Sequence, residues 1–230
     1  CISIQAFTMK NFIDLLEKKQ LIWHGRSRQQ APEFETSGYS ELDVHLSGGF
    51  PKKGVVMLHS TCGIGELRLL LPSLINKQGL CIFINPPGIL SAEFFYHQGI
   101  ELERILFINT NSANEALWSA EQCLKSGACE AVLLWQNQLE VHHIQRLQLA
   151  SNQGQCRQFI FRTAKQQSLS LPVNLSLQLK AEERGIAITI AKQKGAWPKP
   201  EFSLNMSSYW PSLALQNTNN IIPFPASKAV

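Results

Sequence analysis

The sequence predicts an α/β fold: a mostly parallel sheet flanked by helices, with a C-terminal antiparallel hairpin. Short runs that are apolar at every position alternate with helical segments, and this pattern indicates parallel strands whose two faces are both covered. After Pro172 apolar and polar residues alternate with a period of two on either side of a short turn. That alternation is typical of antiparallel strands with one face in water.

The individual elements follow from these patterns in chain order. Strands are predicted at residues 55–58, 80–84, 105–108, 131–135 and 158–161. Helices are predicted at residues 66–76, 91–98, 114–126 and 139–152, several of them followed by a glycine that can take the left-handed conformation at a helix end. The arms of the hairpin are predicted at residues 175–179 and 186–190, and we expect this hairpin to complete the sheet.

Composition divides the chain into a central domain and two flanking segments. Residues 1–35 are predicted to hold a short amphipathic helix, built on Phe12, Leu15 and Leu16, and a polar linker. Residues 36–195 form the predicted α/β domain. Residues 196–230 contain several prolines and an asparagine-rich patch with little periodicity, so we expect a partly disordered tail.

Apolar content excludes one class of protein, whereas charge alone decides nothing about nucleic-acid binding. The chain has 21 Lys and Arg against 17 Asp and Glu, a net charge of +4, without the clustered basic face of a dedicated nucleic-acid-binding protein. We therefore expect DNA contact to be weak if it occurs. The apolar runs are far shorter than the roughly 20 residues that cross a bilayer, which argues against an integral membrane protein.

Cysteine and histidine usage predicts a protein without metal. The six cysteines contain no Cys-x-x-Cys pair and mostly lie in or beside apolar segments, which is typical of small buried side chains in a reducing cytosol. Among the six histidines, His142 and His143 are adjacent, so on a helix they point in different directions and do not form a zinc pair. Because no secretory signal is recognisable, we expect a cytoplasmic protein. Because no metal-ligand spacing is present either, we expect no cofactor.

The segment after the first predicted strand occupies the place of a phosphate-binding loop but has the wrong residues. A working loop reads G-x-x-x-x-G-K-[ST], in which the lysine holds phosphate and the hydroxyl holds magnesium. Here Ser60 stands for the first glycine, Glu66 for the lysine and Leu67 for the hydroxyl. Because an acidic side chain repels phosphate, we expect no nucleotide binding. Gly63 and Gly65 then only turn the chain, and we expect Glu66 to interact with the helix N-terminus.

A common pattern runs through several segments: Thr-Ser-Gly-Tyr-Ser-Glu-Leu-Asp at 36–43, Leu-Ser-Gly-Gly-Phe-Pro at 46–51, Gly54, and residues 83–87, 99–100, 115–117, 125–128 and 131–135. Together these segments resemble the RecA ATPase core. The RecA pattern has a catalytic glutamate after the second strand, where this chain has Pro87, and an acidic residue at the end of a later strand, where it has Trp135. The resemblance, over about residues 36–162, therefore implies a degenerate RecA-like domain that is not an enzyme.

A second set of segments extends along most of the chain: Leu-Ile-Trp-His-Gly at 21–25, Gly-Ile-Gly-Glu-Leu at 63–67, and residues 86–87, 116–118, 121–122, 126–128, 132–135, 146–150 and 161–162. This combination of motifs resembles more closely the ImuA family of RecA-like translesion synthesis accessory proteins, which share a superfamily with the cell-division inhibitor SulA. The resemblance implies an adaptor in SOS-induced, error-prone DNA synthesis. It implies a Y-family polymerase homologue (ImuB-like) as partner, with RecA and an error-prone replicative-type polymerase as further partners.

The sequence offers candidates for partner binding, each with a plainer alternative. The candidates are Trp135, Arg146, Arg162, Trp210 and Phe224. Trp135 either fills the vacated nucleotide cleft or anchors a partner. Arg146 and Arg162, with Arg157 and Lys165, form either a solvated surface or a DNA contact. The two aromatic residues after position 195 either pack in the tail or core, or dock on a partner.

A second function stays open. A SulA-like division inhibitor would bind the tubulin-like protein FtsZ and block its polymerisation. The segment 36–54 favours the accessory role, because it resembles the start of the RecA core, which the shorter inhibitors largely lack. An active recombinase is argued against by Glu66, Leu67, Pro87 and Trp135.

Overall fold

The computed structural model describes residues 33–75, 77–163, 171–195 and 199–211. The chain divides into two compact units between Glu33 and Phe34, and the described helices and strands all belong to the second unit. The predicted N-terminal helix lies outside the described residues. The predicted domain boundary after residue 35 falls too late, because the strand Phe34–Glu35 already pairs with Phe50–Pro51 inside the domain.

A sheet of eight strands forms the centre of the described residues. The short strands β1 (Phe34–Glu35) and β2 (Phe50–Pro51) pair with each other outside it. The sheet contains β3 (Gly54–His59), β4 (Leu80–Ile84), β5 (Ile105–Ile108), β6 (Cys129–Trp135), β7 (Arg157–Arg162), β8 (Leu175–Glu182), β9 (Gly185–Gln193) and β10 (Phe202–Asn205). Their order across the sheet is β10-β9-β8-β3-β7-β6-β4-β5.

This topology confirms the predicted fold class. The strands from β8 to β5 in the sheet order are mutually parallel, and β9 and β10 extend the sheet in antiparallel fashion. The molecule is therefore a RecA-like α/β domain with a mostly parallel sheet and a C-terminal antiparallel part. The predicted strands 80–84 and 105–108 coincide with β4 and β5.

The described residues form five helices, of which the first lies between the antiparallel strands β1 and β2 and the other four lie in connections between parallel strands, as such crossovers require. They are α1 (Ser40–His45), α2 (Glu66–Leu70), α3 (Ala92–His97), α4 (Ala113–Lys125) and α5 (Val141–Gly154), with short 3₁₀ turns at Leu71–Ser73 and Leu102–Arg104. The predicted helix 66–76 is wrong in length. Pro72 has no N–H to donate to the carbonyl of Arg68, and the hydroxyl of Tyr39 donates to that carbonyl instead at 2.8 Å.

Two apolar layers cover the two faces of the sheet. Successive residues of a strand point to opposite faces, so Val56 and Leu58 of β3 belong to one layer and Val55 and Met57 to the other. The first layer is shared with α1, α2 and α3, and the second with α4 and α5. Continuous apolar strands are thus explained by burial on both sides.

The described residues after position 195 correct the prediction of a disordered tail from 196 to 230. Strand β10 pairs with β9, and Leu204, Met206 and Trp210 are buried in the first apolar layer. Trp210 is 5% exposed, and its indole N–H donates to the Tyr39 hydroxyl at 2.8 Å. The domain therefore extends at least to residue 211. Residues 212–230, with the candidate Phe224, lie outside the described residues.

The helices in the described part of the chain are short and amphipathic or partly polar. None of those helices has the length and apolar character needed to cross a membrane.

Candidate functional site

A cleft lies at the carboxyl ends of β3, β4, β6 and β7. This edge is where open parallel sheets generally bind ligands, because the loops that follow the strands meet there. The loops enclose two adjoining cavities of about 420 and 360 Å³. The residues that line both cavities are Cys62, Glu66, Pro87 and Trp135. The structure thus brings together the positions at which the sequence departs from a nucleotide-binding site.

The loop after β3 is closed by its own acidic residue. Gly63 and Gly65 have φ angles of +83° and +99°, which side-chain-bearing residues rarely adopt, so both glycines serve the tight turn. The Glu66 carboxylate folds back, and its Oε1 accepts a hydrogen bond from the Gly63 N–H at 3.0 Å. A loop amide of the kind that holds phosphate is therefore occupied by a carboxylate of the same chain.

Glu66 is buried but only half satisfied. The side chain is 6% exposed, and within the described residues its Oε2 atom has no hydrogen-bond partner. Leu67, at the position of the metal-binding hydroxyl, packs against the first apolar layer instead. The negative charge and the apolar neighbour together disfavour a magnesium-bound triphosphate at this loop.

Trp135 forms part of the cleft wall and does not fill the cleft. Its ring stacks on Phe161 with centroids 4.3 Å apart and planes 6° apart, and it lies 6.3 Å from the ring of Phe83. The indole is half-buried and borders both cavities. The predicted alternatives, a plug or an exposed anchor, are therefore both incomplete descriptions of this residue.

Arg162 also lies in the wall of the larger cavity. It is 4% exposed, its Nη2 donates to the carbonyl oxygen of Asn137 at 2.9 Å, and burial lowers the pKa of its guanidinium. The neighbouring His59 has a pKa below its usual value, first because of burial and then because of repulsion by Arg162. The prediction of a solvated basic surface is therefore wrong for Arg162.

The other predicted basic residues lie elsewhere. Arg146 is exposed on α5, away from the cleft lining, and pairs with Glu121 of α4. Arg157 begins β7 and is buried, so the solvated-surface prediction is also wrong for it; its Nη2 binds Glu130 at 2.5 Å. Lys165 lies outside the described residues. The structure thus does not bring the basic residues together as one surface for DNA.

Several residues of the cleft were not identified from the sequence. The loop after β6 contributes Gln136, Asn137 and Gln138 to the larger cavity. The loop after β4 contributes apolar residues to the smaller one, among them Ile89, which is fully exposed, and Leu90. Their position directly after buried strands was the signal that could have identified them, because such loops meet at the carboxyl edge.

The segment 36–43, on which much of the RecA resemblance rests, consists of a short turn and the start of α1, and its role in the structure is local. The Asp43 carboxylate accepts hydrogen bonds from the Ser37 backbone N–H at 2.7 Å and from the Ser37 hydroxyl at 2.6 Å. The Thr36 hydroxyl donates to the same carboxylate. This motif therefore fixes the entry of the chain into α1 and contributes no group to the cleft lining.

Cysteines and metal-binding residues give no second site. In the described ranges the five cysteines are free thiols, and no group of His, Cys, Asp and Glu is arranged to hold a metal ion. Cys62 is exposed at the cleft, where burial of its thiol and the nearby Glu66 raise its pKa.

Comparison with known proteins gives similarity to RecA over about half of the chain. No protein-family model matches. RecA of Bartonella tribocorum is 27% identical over 113 residues, which are 46% of this chain and 33% of that protein. RecA of Acinetobacter baumannii is 25% identical over 114 residues, 48% of this chain and 33% of that protein. RecA of a Nocardioides species is 28% identical over 106 residues, 44% of this chain and 30% of that protein.

A solved structure of SulA from Pseudomonas aeruginosa is also similar, with a TM-score of 0.42 and 25% identity over 47% of this chain and 97% of that one. The chain spans about a third of the length of the RecA proteins that it matches. Together with the sheet topology, the similarity to RecA makes this chain a RecA-like protein at the level of fold.

Proposed function

We propose that the protein is a non-catalytic, RecA-like accessory protein that acts in the cytoplasm during SOS-induced, error-prone translesion DNA synthesis. The observation that carries the proposal is the hydrogen bond from the Gly63 N–H to the Glu66 carboxylate. It leaves the RecA-like scaffold intact and places a negative charge where a nucleotide phosphate would have to bind. Such a domain can still offer surfaces to other proteins.

The rest of the cleft supports a role without nucleotide chemistry. Phosphoryl transfer needs magnesium ligands and a residue that positions the attacking group. Glu66 is the one acidic side chain among the described residues that line the two cavities. Pro87 and Trp135 occupy the positions where RecA-type enzymes carry carboxylates. Apart from Glu66, which stands at the position of the phosphate-binding lysine, the described cleft lining would therefore have no carboxylate for a metal.

The proposed partners follow from the resemblance to the ImuA family. The main partner would be the Y-family polymerase homologue, with RecA and an error-prone replicative-type polymerase in the same assembly. Direct contact with DNA would be weak. In the described part of the chain, Arg157 and Arg162 are buried, and Arg146 is paired with Glu121, so these residues do not form an open basic surface.

A pull-down from DNA-damaged cells tests the proposal. The full chain should recover the Y-family homologue or RecA, and should not recover FtsZ. A variant altered in the cleft, Trp135→Ala, should recover less partner than the wild type. The matched control is Trp118→Ala, which removes an exposed tryptophan of α4 outside the cleft.

Two results would contradict the proposal. One is recovery of neither the polymerase homologue nor RecA when the chain is folded and soluble. The other is suppression of FtsZ polymerisation by near-stoichiometric purified protein, which would favour the division-inhibitor function.

A further inference from the structure

The smaller cavity is an apolar groove with an acidic residue in its wall. Its volume is about 360 Å³. Its apolar lining is formed by Leu67, Pro87, Ile89, Leu90, Phe94 and Trp135. Glu66 is the acidic residue of that lining. A groove of this composition suits an apolar side-chain stem that ends in a positive charge, as lysine and arginine side chains do.

No basic residue in the described part of the chain matches the charge of Glu66. Its Oε1 accepts from the Gly63 N–H, and no ion pair of Glu66 with a basic residue is formed in the described ranges. Its Oε2 is buried and has no hydrogen-bond partner there. A buried carboxylate oxygen in this state is costly, and a bound cation would remove the cost.

Trp135 adds a second group that attracts cations. Its indole borders the same groove, and tryptophan is the aromatic side chain that interacts best with a cation. Its stacking on Phe161 holds the ring in place. A carboxylate and a fixed indole on one groove are the two components by which proteins usually recognise a basic side chain.

The basic residues near the groove have other contacts. Arg68 lies in the groove lining, but its guanidinium sits 5.4 Å from the ring centroid of Trp210. Arg162 lines the larger cavity, not the groove, and donates to the Asn137 carbonyl. Neither forms an ion pair with Glu66 in the described residues. The negative charge therefore remains available to an incoming cation.

We propose that this groove binds a lysine or arginine side chain that a partner protein inserts, with its stem along Trp135 and Leu90 and its charged group at Glu66. The terminal torsion of glutamate is soft, so a small rotation turns Oε2 toward the groove. The proposal rests on the proposed function in one respect only: the bound side chain is assumed to belong to a partner protein. It names the chemistry of the contact, which the proposed function leaves open.

The test is an NMR titration of the full chain with N-acetyl-lysine methylamide. The probe should shift the Trp135 indole resonance, assigned by the Trp135→Phe variant, and the Gly63 amide resonance, with a saturable, millimolar Kd. N-acetyl-norleucine methylamide, which has the stem without the charge, should bind at least about tenfold more weakly. In Glu66→Gln, which keeps an acceptor for Gly63, the lysine probe should also bind about tenfold more weakly, whereas Glu103→Gln should bind as the wild type does.

Three outcomes would overturn the proposal: no saturable shift with the lysine or the corresponding arginine probe, equal binding of the norleucine probe, or unchanged binding in Glu66→Gln. If that variant does not fold, the ratio of lysine to norleucine binding in the wild-type chain decides alone. A single-stranded oligonucleotide that shifts the same resonances would also count against it, because a polyanion should avoid Glu66. The titration uses no cell extract, so its failure is separate from failure of the proposed partners.

Discussion

Charged residues have different partners at the two ends of the parallel strands. At the amino end, Arg157 is 1% exposed, yet it contacts the carboxylates of Glu130 and Glu35 and the carbonyl of Ser73. Lys77 extends this network by pairing with Glu35. At the carboxyl end, Glu66 accepts one hydrogen bond, from the Gly63 N–H, and has an open groove beside it.

This contrast distinguishes charges that stabilise the fold from a charge that could bind a ligand. A buried charge that is matched by opposite charges, as Arg157 is by Glu130 and Glu35, holds the elements around it together and leaves no net charge for a ligand. A buried charge with one free oxygen beside a groove costs stability, and such groups are found mainly where a ligand completes them. The amino end therefore has a structural role, and the binding role of the carboxyl end is our proposal.

The largest effect on stability is expected when the ion-pair network around Arg157, at the amino end of the strands, is broken. Arg157→Met leaves two carboxylates, those of Glu130 and Glu35, without their buried cation. Removing one partner of such a network typically costs about 3–5 kcal/mol, and we expect a loss of about 4 kcal/mol in the free energy of unfolding, measured by urea denaturation. Arg146→Met is the control, because it breaks an exposed ion pair, with Glu121, worth less than about 1 kcal/mol. Equal losses for the two variants would remove the distinction between the two ends.

A slightly smaller loss of stability is expected when the packing of Trp210 beside the groove is removed. Trp210 stacks near Phe94, a residue of the groove, and donates to the Tyr39 hydroxyl. Trp210→Ala should destabilise the fold by about 3 kcal/mol, at the low end of the range for large-to-small changes of a buried aromatic residue. Trp118→Ala, at a site 60% exposed, should change stability by less than about 0.5 kcal/mol in the same urea experiment. If both variants lost equally little stability, the segment after residue 195 would be dispensable for folding.

The carboxyl end should also show a pH dependence from His59. Burial and then Arg162 lower the pKa of His59 in the folded state below its usual value of 6.5. The unfolded chain therefore binds a proton more readily than the folded one, so stability from this residue is complete above about pH 6.5 and falls as the pH drops. Urea midpoints measured from pH 7.5 down to 5 should decrease less in His59→Gln than in the wild type. Parallel curves for the two proteins would show that His59 is solvated.

The smallest effect on stability is expected at Glu66 itself. Glu66→Gln keeps an acceptor for the Gly63 N–H and removes a charge that has no ion pair among the residues that the structure describes. We expect the free energy of unfolding to change by less than about 1 kcal/mol. Glu130→Gln should cost more, because that carboxylate is paired with a buried arginine. A larger loss at Glu66 than at Glu130 would show that the cleft carboxylate is structural.

Much of the fold could be predicted from the sequence, because buried parallel strands leave a strong pattern. Strands β4 and β5 are continuous apolar runs, and their predicted first and last residues coincide with the observed ones. The elements that were missed depend on single contacts. Helix α2 stops early because of Pro72, and β10 spans only Phe202–Asn205, too short for a period of two to be recognised between prolines.

The candidate site was only partly predictable. Glu66, Pro87 and Trp135 could be recognised as departures from a nucleotide-binding pattern, and the structure places them around one cleft. The inward fold of the Glu66 side chain could not be read from sequence, since it depends on the turn made by two glycines. The burial of Arg157 was equally hidden, because its partners come from distant positions in the chain.

The most direct test of the central claim is a calorimetric titration of the full chain with ATP and magnesium. We expect no saturable heat, and no hydrolysis on prolonged incubation, because the phosphate loop is closed by Glu66 and the described cleft lining has no second carboxylate to hold magnesium. Glu66→Lys should not restore turnover, since Pro87 and Trp135 remain. Binding with a Kd tighter than about 100 μM, or turnover in Glu66→Lys, would contradict the claim that this cleft has lost nucleotide chemistry.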